Sequence, residues 1–102
     1  MNSVIVIPSR LASTRLPNKP LADIAGLPMI VHCLHRAEEA DIGPVIVAAG
    51  DQDIYDVIHD HGGKAILTDP DLPSGSDRVW QALSKFDPDE TYSHIINVQG
   101  DL

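Results

Sequence analysis

The sequence predicts an α/β fold in which a mostly parallel sheet carries helices on both faces. Short apolar runs at 4–7 and 45–49 read as buried strands, the first on both faces, and 65–68 and 94–99 read as two further strands. The segments between them repeat apolar residues at helical spacing, and Gly, Pro and Asp punctuate each change. Strands alternating with helices give parallel strands joined by right-handed crossovers.

Val4-Ile5-Val6-Ile7 is β-branched throughout and starts the sheet. Gly26-Leu27-Pro28 reads as a turn, with Pro28 in the first turn of the helix that follows. That helix carries Ile30, Cys33, Leu34 and Ala37 on one face and His32, His35, Arg36, Glu38 and Glu39 largely on the other, and Gly43-Pro44 ends it. Val45 to Ala49 is the second strand, closed by Gly50. Asp51 and Asp53 offer caps for a second helix whose Ile54, Val57, Ile58 and His61 follow the i, i+3, i+4, i+7 pattern before Gly62-Gly63 stops it. Ala65 to Thr68 is a third strand. Ser74 or Ser76 caps a third helix, with Val79, Leu83 and Phe86 on its inner face and Trp80 beside them, and Asp87-Pro88-Asp89 breaks it. His94 to Gln99 is the last strand.

With 102 residues the chain has room for one core. Its composition, 43% hydrophobic and 22% charged, is that of a soluble globular protein. No apolar run nears the ~18 residues that span a bilayer, and the N-terminal run is too short for a signal peptide. These features place the protein in the cytoplasm, away from membranes. Its single cysteine, Cys33, supplies neither an internal disulfide nor a thiolate-rich metal site and reads as core filler. A formal charge of −8 excludes nucleic acid as a partner, since phosphate backbones need spread-out basic surface. A small anion held by a few local cations is allowed.

Such cations are concentrated in one place. Arg10, Arg15 and Lys19 lie in Pro8-Ser9-Arg10-Leu11-Ala12-Ser13-Thr14-Arg15-Leu16-Pro17-Asn18-Lys19-Pro20, directly after the first strand. Pro8, Pro17 and Pro20 forbid a regular helix and stiffen the segment, and Ser13 and Thr14 add hydroxyls. This suits a polyphosphate. Parallel strands bring their C-terminal ends to one edge, where open α/β sheets bind ligands. On that rim Ser74-Gly75-Ser76-Asp77-Arg78 offers hydroxyls and amides at a helix N-terminus, or else a plain capping turn with Arg78 solvated. Asp101, after Gly100, offers a carboxylate to a hard cation or is simply solvated. The histidines form no ligand set, and neither a G-x-G-x-x-G after the first strand nor a P-loop is present.

In order, Ile7-Pro8-Ser9-Arg10, Ser13-Thr14-Arg15-Leu16-Pro17, Lys19-Pro20-Leu21, Gly26-Leu27-Pro28-Met29-Ile30, Ser74-Gly75-Ser76-Asp77-Arg78 and Asn97-Val98-Gln99-Gly100-Asp101 resemble the motifs of the 3-deoxy-manno-octulosonate cytidylyltransferases. These CMP-Kdo synthetases belong to the nucleotide-diphospho-sugar transferases. The resemblance implies a Rossmann-like sheet of that fold. Residues 1–102 would then be the nucleotide-binding part of a single domain whose C-terminal half is absent, because family members are more than twice as long. Ser9 stands where alanine is commoner, and Gly50 where threonine is.

What the resemblance implies is transfer of CMP from CTP to Kdo for lipopolysaccharide synthesis, with Mg²⁺ as cofactor and a homodimer at full length. By position, Arg10, Lys19 and Asp101 would be catalytic, with Asp101 also binding the metal. Ser13, Arg15, Ser74, Gly75, Asp77, Arg78 and Gln99 would bind substrate. The alternatives are a cytidylyltransferase acting on a sialic acid or methylerythritol phosphate, and a non-catalytic nucleotide-binding module.

Overall fold

The computed structural model describes residues 2–11 and 19–98. Strand β1 (Ser3–Ser9) is followed by a 3-10 turn at Lys19–Leu21, a hairpin of β2 (Asp23–Ile24) and β3 (Leu27–Pro28), and helix α1 (Met29–Glu39). Then come β4 (Val45–Ala49), α2 (Gln52–Asp60), β5 (Ala65–Leu67), α3 (Gly75–Phe86) and β6 (His94–Asn97). The main sheet has four strands in the order β5-β4-β1-β6, all parallel. Ser9 lies opposite Ala49, and Val6 opposite Asn97. The chain steps outward from β1 through β4 to β5, then crosses back to lay β6 on the other side of β1. The order therefore reverses between β1 and β6.

Strand alternation divides the core into two layers. Ile5 and Ile7 of β1, with Val47 and Ala49 of β4, pack against Ile30, Val31 and Leu34 of α1 and Ile54 and Ile58 of α2. Val4 and Val6, with Ile46 and Ala48, pack against Val79, Ala82 and Leu83 of α3. The expected parallel sheet with helices on both faces is what forms. Cys33 is buried in the first layer, as its place on the apolar stripe requires.

Several local readings change. The turn falls on Ala25-Gly26, with φ of 52° and 90°, and Leu27-Pro28 is a strand; glycine takes the more positive φ at no steric cost. Pro28 is the N-cap of α1, with φ −58° and ψ 145°, and lies just outside its first turn. The third strand ends at Leu67, one residue early; the Thr68 amide closes its pairing on the carbonyl of Ala49 at 2.7 Å, and the Thr68 hydroxyl donates to the same oxygen at 2.9 Å. His61 follows α2 and is exposed, its Nδ1 bonded to the Val57 carbonyl. Trp80 is 62% exposed, so it stands off the inner face of α3. The last strand ends at Asn97, and His94, Ile95 and Asn97 are exposed; among the described residues it pairs with β1 on one side only.

Asp87 closes α3. Its carboxylate accepts the amides of Thr91 and Tyr92, at 2.9 and 3.0 Å, and so shapes the turn into β6. The Tyr92 bond foremost, helped by Thr91 against a smaller opposing effect of burial, holds its pKa below the ordinary carboxylate value. A depressed folded-state pKa adds stability above the unfolded value, about 3.9, and that stability disappears as pH falls through the folded value. Asp87→Asn should therefore lower the Tm at pH 6, with the gap from wild type closing as the melt is repeated at progressively lower pH below about 4. Separately, Ile54→Ala, at a fully buried position, should cost about 2–5 kcal/mol in urea unfolding. Trp80→Ala should cost far less in the same assay.

Candidate functional site

The C-terminal ends of β1, β4 and β5 form one rim, and the segments leaving them are tied together across it. The Gly50 amide donates to the Ser9 carbonyl at 2.8 Å, continuing the pairing past the end of β4. One residue on, Asp51 sits at the N-cap of α2 in extended geometry but makes no side-chain cap. Its Oδ2 instead accepts the Leu11 amide at 2.7 Å. A carboxylate expected to cap a helix is thus holding the start of the basic segment.

Arg10, the first residue after β1, is exposed at this rim. Arg78 is not solvated: it is 3% exposed, on the same inner stripe of α3 as Val79, Ala82 and Leu83. Its Nη1 donates to Thr68 Oγ1 at 2.6 Å and to the Asp69 carbonyl at 2.8 Å, and Nη2 reaches the Pro70 carbonyl at 3.5 Å. Since Thr68 Oγ1 donates onward to the Ala49 carbonyl, a short relay links α3, the loop after β5 and the end of β4. Burial and, next, the positive charge of Arg10 lower the Arg78 pKa, opposed by Asp51 and Asp69. Two guanidiniums therefore share one neighbourhood, with carboxylates beside them.

Gly50 makes this crowding possible. A Cβ on it would lie 2.7 Å from Arg78 Nη1 and 2.9 Å from Arg10 Cβ, closer than side chains tolerate. Having no side chain, Gly50 leaves room for the Arg78 guanidinium to lie against the backbone.

The first turn of α3 reaches the same rim. A Cβ on Gly75 would touch Pro8 Cγ at 3.7 Å, an ordinary contact, so this turn lies close to the end of β1. Ser74 is the cap: its Oγ accepts the Asp77 amide at 3.2 Å and donates to Asp77 Oδ2 at 2.8 Å. Ser74, Gly75 and Asp77 are exposed. Lys19 begins the 3-10 turn and is half-buried, its carbonyl accepting the Ala22 amide. Ser13, Arg15, Gln99 and Asp101 lie outside the described residues.

The rim thus brings together Arg10, Arg78, Ser74, Gly75 and Asp77 from the sequence-derived set, with Arg78 facing carbonyls. Asp51 and Thr68 were missed as functional positions. Helical spacing already placed Arg78 beside Val79 and Ala82, which was a legible signal of burial. The Asp51 contact joins residues forty apart and has no local signature.

Among the described residues no group of three or more His, Cys, Asp or Glu side chains is arranged to hold a metal ion, and no helix is long and apolar enough to cross a membrane. A groove of about 300 Å³ lies at the opposite edge of the sheet, between the end of α3 and β6, lined by Trp80, Leu83, Tyr92 and Ile95.

Comparison with known proteins agrees with the motifs. The family described as Cytidylyltransferase matches residues 4–102. A 3-deoxy-manno-octulosonate cytidylyltransferase of Rhodospirillum rubrum is 62% identical over 97% of the chain and 39% of its own length. That of Rhodospirillum centenum is 61% identical over 99% of the chain and 39% of its own length, and that of Paramagnetospirillum magneticum is 55% identical over the whole chain and 42% of its own length. The chain spans about two fifths of these relatives. A solved structure of CMP:2-keto-3-deoxy-manno-octonic acid synthetase complexed with CTP superposes with a TM-score of 0.88 at 43% identity, over 99% of this chain and 41% of that one.

Gly50→Ala should lower stability by about 1–3 kcal/mol, the usual cost of overpacking, as a lower urea midpoint with an unchanged slope. The alanine forces the Arg78 guanidinium off its carbonyls, so Arg78→Ala combined with it should add less than its own separate effect.

Proposed function

The chain belongs to the cytidylyltransferase family, and on that premise we propose that it is the nucleotide-binding part of an enzyme that transfers CMP from CTP to the anomeric hydroxyl of 3-deoxy-manno-octulosonate. The observation that carries this reading is Arg10, exposed at the C-terminal edge of the central strand, where the sheet order reverses between β1 and β6. Open α/β sheets take their ligands at such a point. The relatives named for this reaction, and the neighbour complexed with CTP, support the choice of nucleotide and acceptor.

In this reaction the sugar's anomeric oxygen forms a bond to the α-phosphorus, the bond from that phosphorus to the bridging oxygen breaks, the hydroxyl proton departs and pyrophosphate leaves. Charge grows on the phosphate oxygens, so positioned cations do most of the work. Arg10 offers a planar, bidentate donor set to those oxygens, with Arg15 and Ser13 in the same segment. Lys19 supplies a point charge suited to the leaving pyrophosphate. The caps at Ser74, Gly75 and Asp77 would border the nucleotide, and Gln99 the reacting centre. Asp51 holds the start of the segment through the Leu11 amide. Arg78 acts from behind: with its guanidinium bonded to carbonyls, it fixes the rim and adds buried positive charge.

Mg²⁺ belongs to the proposal through Asp101, and when bound it would neutralise charge on the triphosphate. The described residues offer it no ligand cluster of their own. The remaining length of the relatives would supply the rest of the sugar pocket and a homodimer surface, and the enzyme would work in the cytoplasm.

Calorimetry should show the chain binding CTP more tightly than ATP, with Arg10→Ala weakening CTP at least about tenfold. Joined to the C-terminal part of the Rhodospirillum centenum relative, it should release pyrophosphate from CTP and Mg²⁺ only when Kdo is added. Faster release with a sialic acid or methylerythritol phosphate would overturn the choice of acceptor.

A further inference from the structure

Three polar side chains are buried among the described residues: Ser9, Thr68 and Arg78. Thr68 and Arg78 satisfy one another and the carbonyls of Ala49 and Asp69. Ser9 stands apart. The residue is 7% exposed, and its Oγ is shut off from solvent with no hydrogen-bond partner. Its carbonyl is already engaged by the Gly50 amide, so only the side chain is left over.

Buried hydroxyls in native proteins are nearly always bonded, and one that is not lowers stability without return. Alanine would fill the position without that loss, as Ala49 does directly opposite on β4. A hydroxyl here therefore has a use that the unliganded fold does not supply. Its location says which. Ser9 is the last residue of β1, next to exposed Arg10, at the edge where the strand order reverses. A serine hydroxyl both donates and accepts, and rotation about one side-chain bond re-aims it.

We infer that Ser9 is a nucleotide contact: its hydroxyl donates to an oxygen of bound CTP and is the group left unsatisfied until the nucleotide arrives. This rests on the function proposed above and adds a specific residue to it. The contact reverses the usual sign of a serine substitution. Removing the hydroxyl relieves the empty state and penalises the liganded one.

The test is Ser9→Ala in the full chain, followed by thermal unfolding without ligand and by calorimetry with CTP. The expected result is an unliganded Tm equal to or above wild type, together with CTP affinity weakened about tenfold. Affinity within twofold of wild type overturns the inference. So does a lower unliganded Tm, which would show that the hydroxyl is already bonded in the empty protein, for instance to a buried water. If wild type itself fails to bind CTP, the proposed function falls and this contact with it. Loss of the contact alone appears only as unchanged affinity in the variant of a wild type that binds.

Discussion

Val4, Ile5, Val6 and Ile7 are covered on both sides, alternately by α1 and α2 and by α3, and no polar group along them is left for chemistry. A strand sealed in this way can present function only where it ends. That constraint sends the basic segment, the loop after β4 and the N-terminus of α3 to one rim, because parallel strands all finish there. The crossing from β5 back to β6 then opens the rim beside β1, since the connections on either side of β1 lead away on opposite faces of the sheet. Burial of four apolar residues thus decides where a ligand can sit.

The rim divides its two arginines by role. Arg10 is exposed and leaves its donors to whatever binds. Arg78 is enclosed, and its donors go to Thr68, Asp69 and Pro70. A buried guanidinium survives because Arg keeps its charge even when burial and a neighbouring cation lower its pKa. Carbonyl oxygens take up part of its desolvation cost. The relay through Thr68 to Ala49 makes that charge structural as well, fixing α3 against the ends of β4 and β5. Gly50 is the steric condition for this arrangement, since any side chain there would occupy the space of the guanidinium.

How much of this the sequence disclosed follows the range of the interactions. The strands, the helices and the common rim were legible because apolar runs and helical spacing are local signals. The cap at Ser74 was legible for the same reason, with Asp77 three residues on. Asp51 looked like a cap because position favours that reading, but the Leu11 amide, brought close only by the pairing of β1 with β4, took its carboxylate. Arg78 was read as a nucleotide contact or else as a solvated residue of a capping turn, although its place on the apolar stripe pointed inward. The β6 stretch read as a strand, yet among the described residues only β1 pairs with it, and three of its four residues are exposed.

An acidic chain proposed to hold a polyphosphate needs a reason, and distance provides it. At physiological salt the Debye length is about 8 Å, so most of the formal charge of −8 is screened from a ligand at the rim. Only charges within a few ångströms count. The two carboxylates near the arginines are occupied: Asp51 accepts the Leu11 amide, and Asp69 accepts Gln81 while its own amide donates to the same side chain. Each bond fixes one carboxylate oxygen on a protein donor, while the carboxylate keeps its charge. What then faces an arriving anion is Arg10, backed by the enclosed charge of Arg78, whose field is screened less than that of a solvated residue because water is kept from it. Local geometry, and not the sum over the sequence, sets the sign of the site.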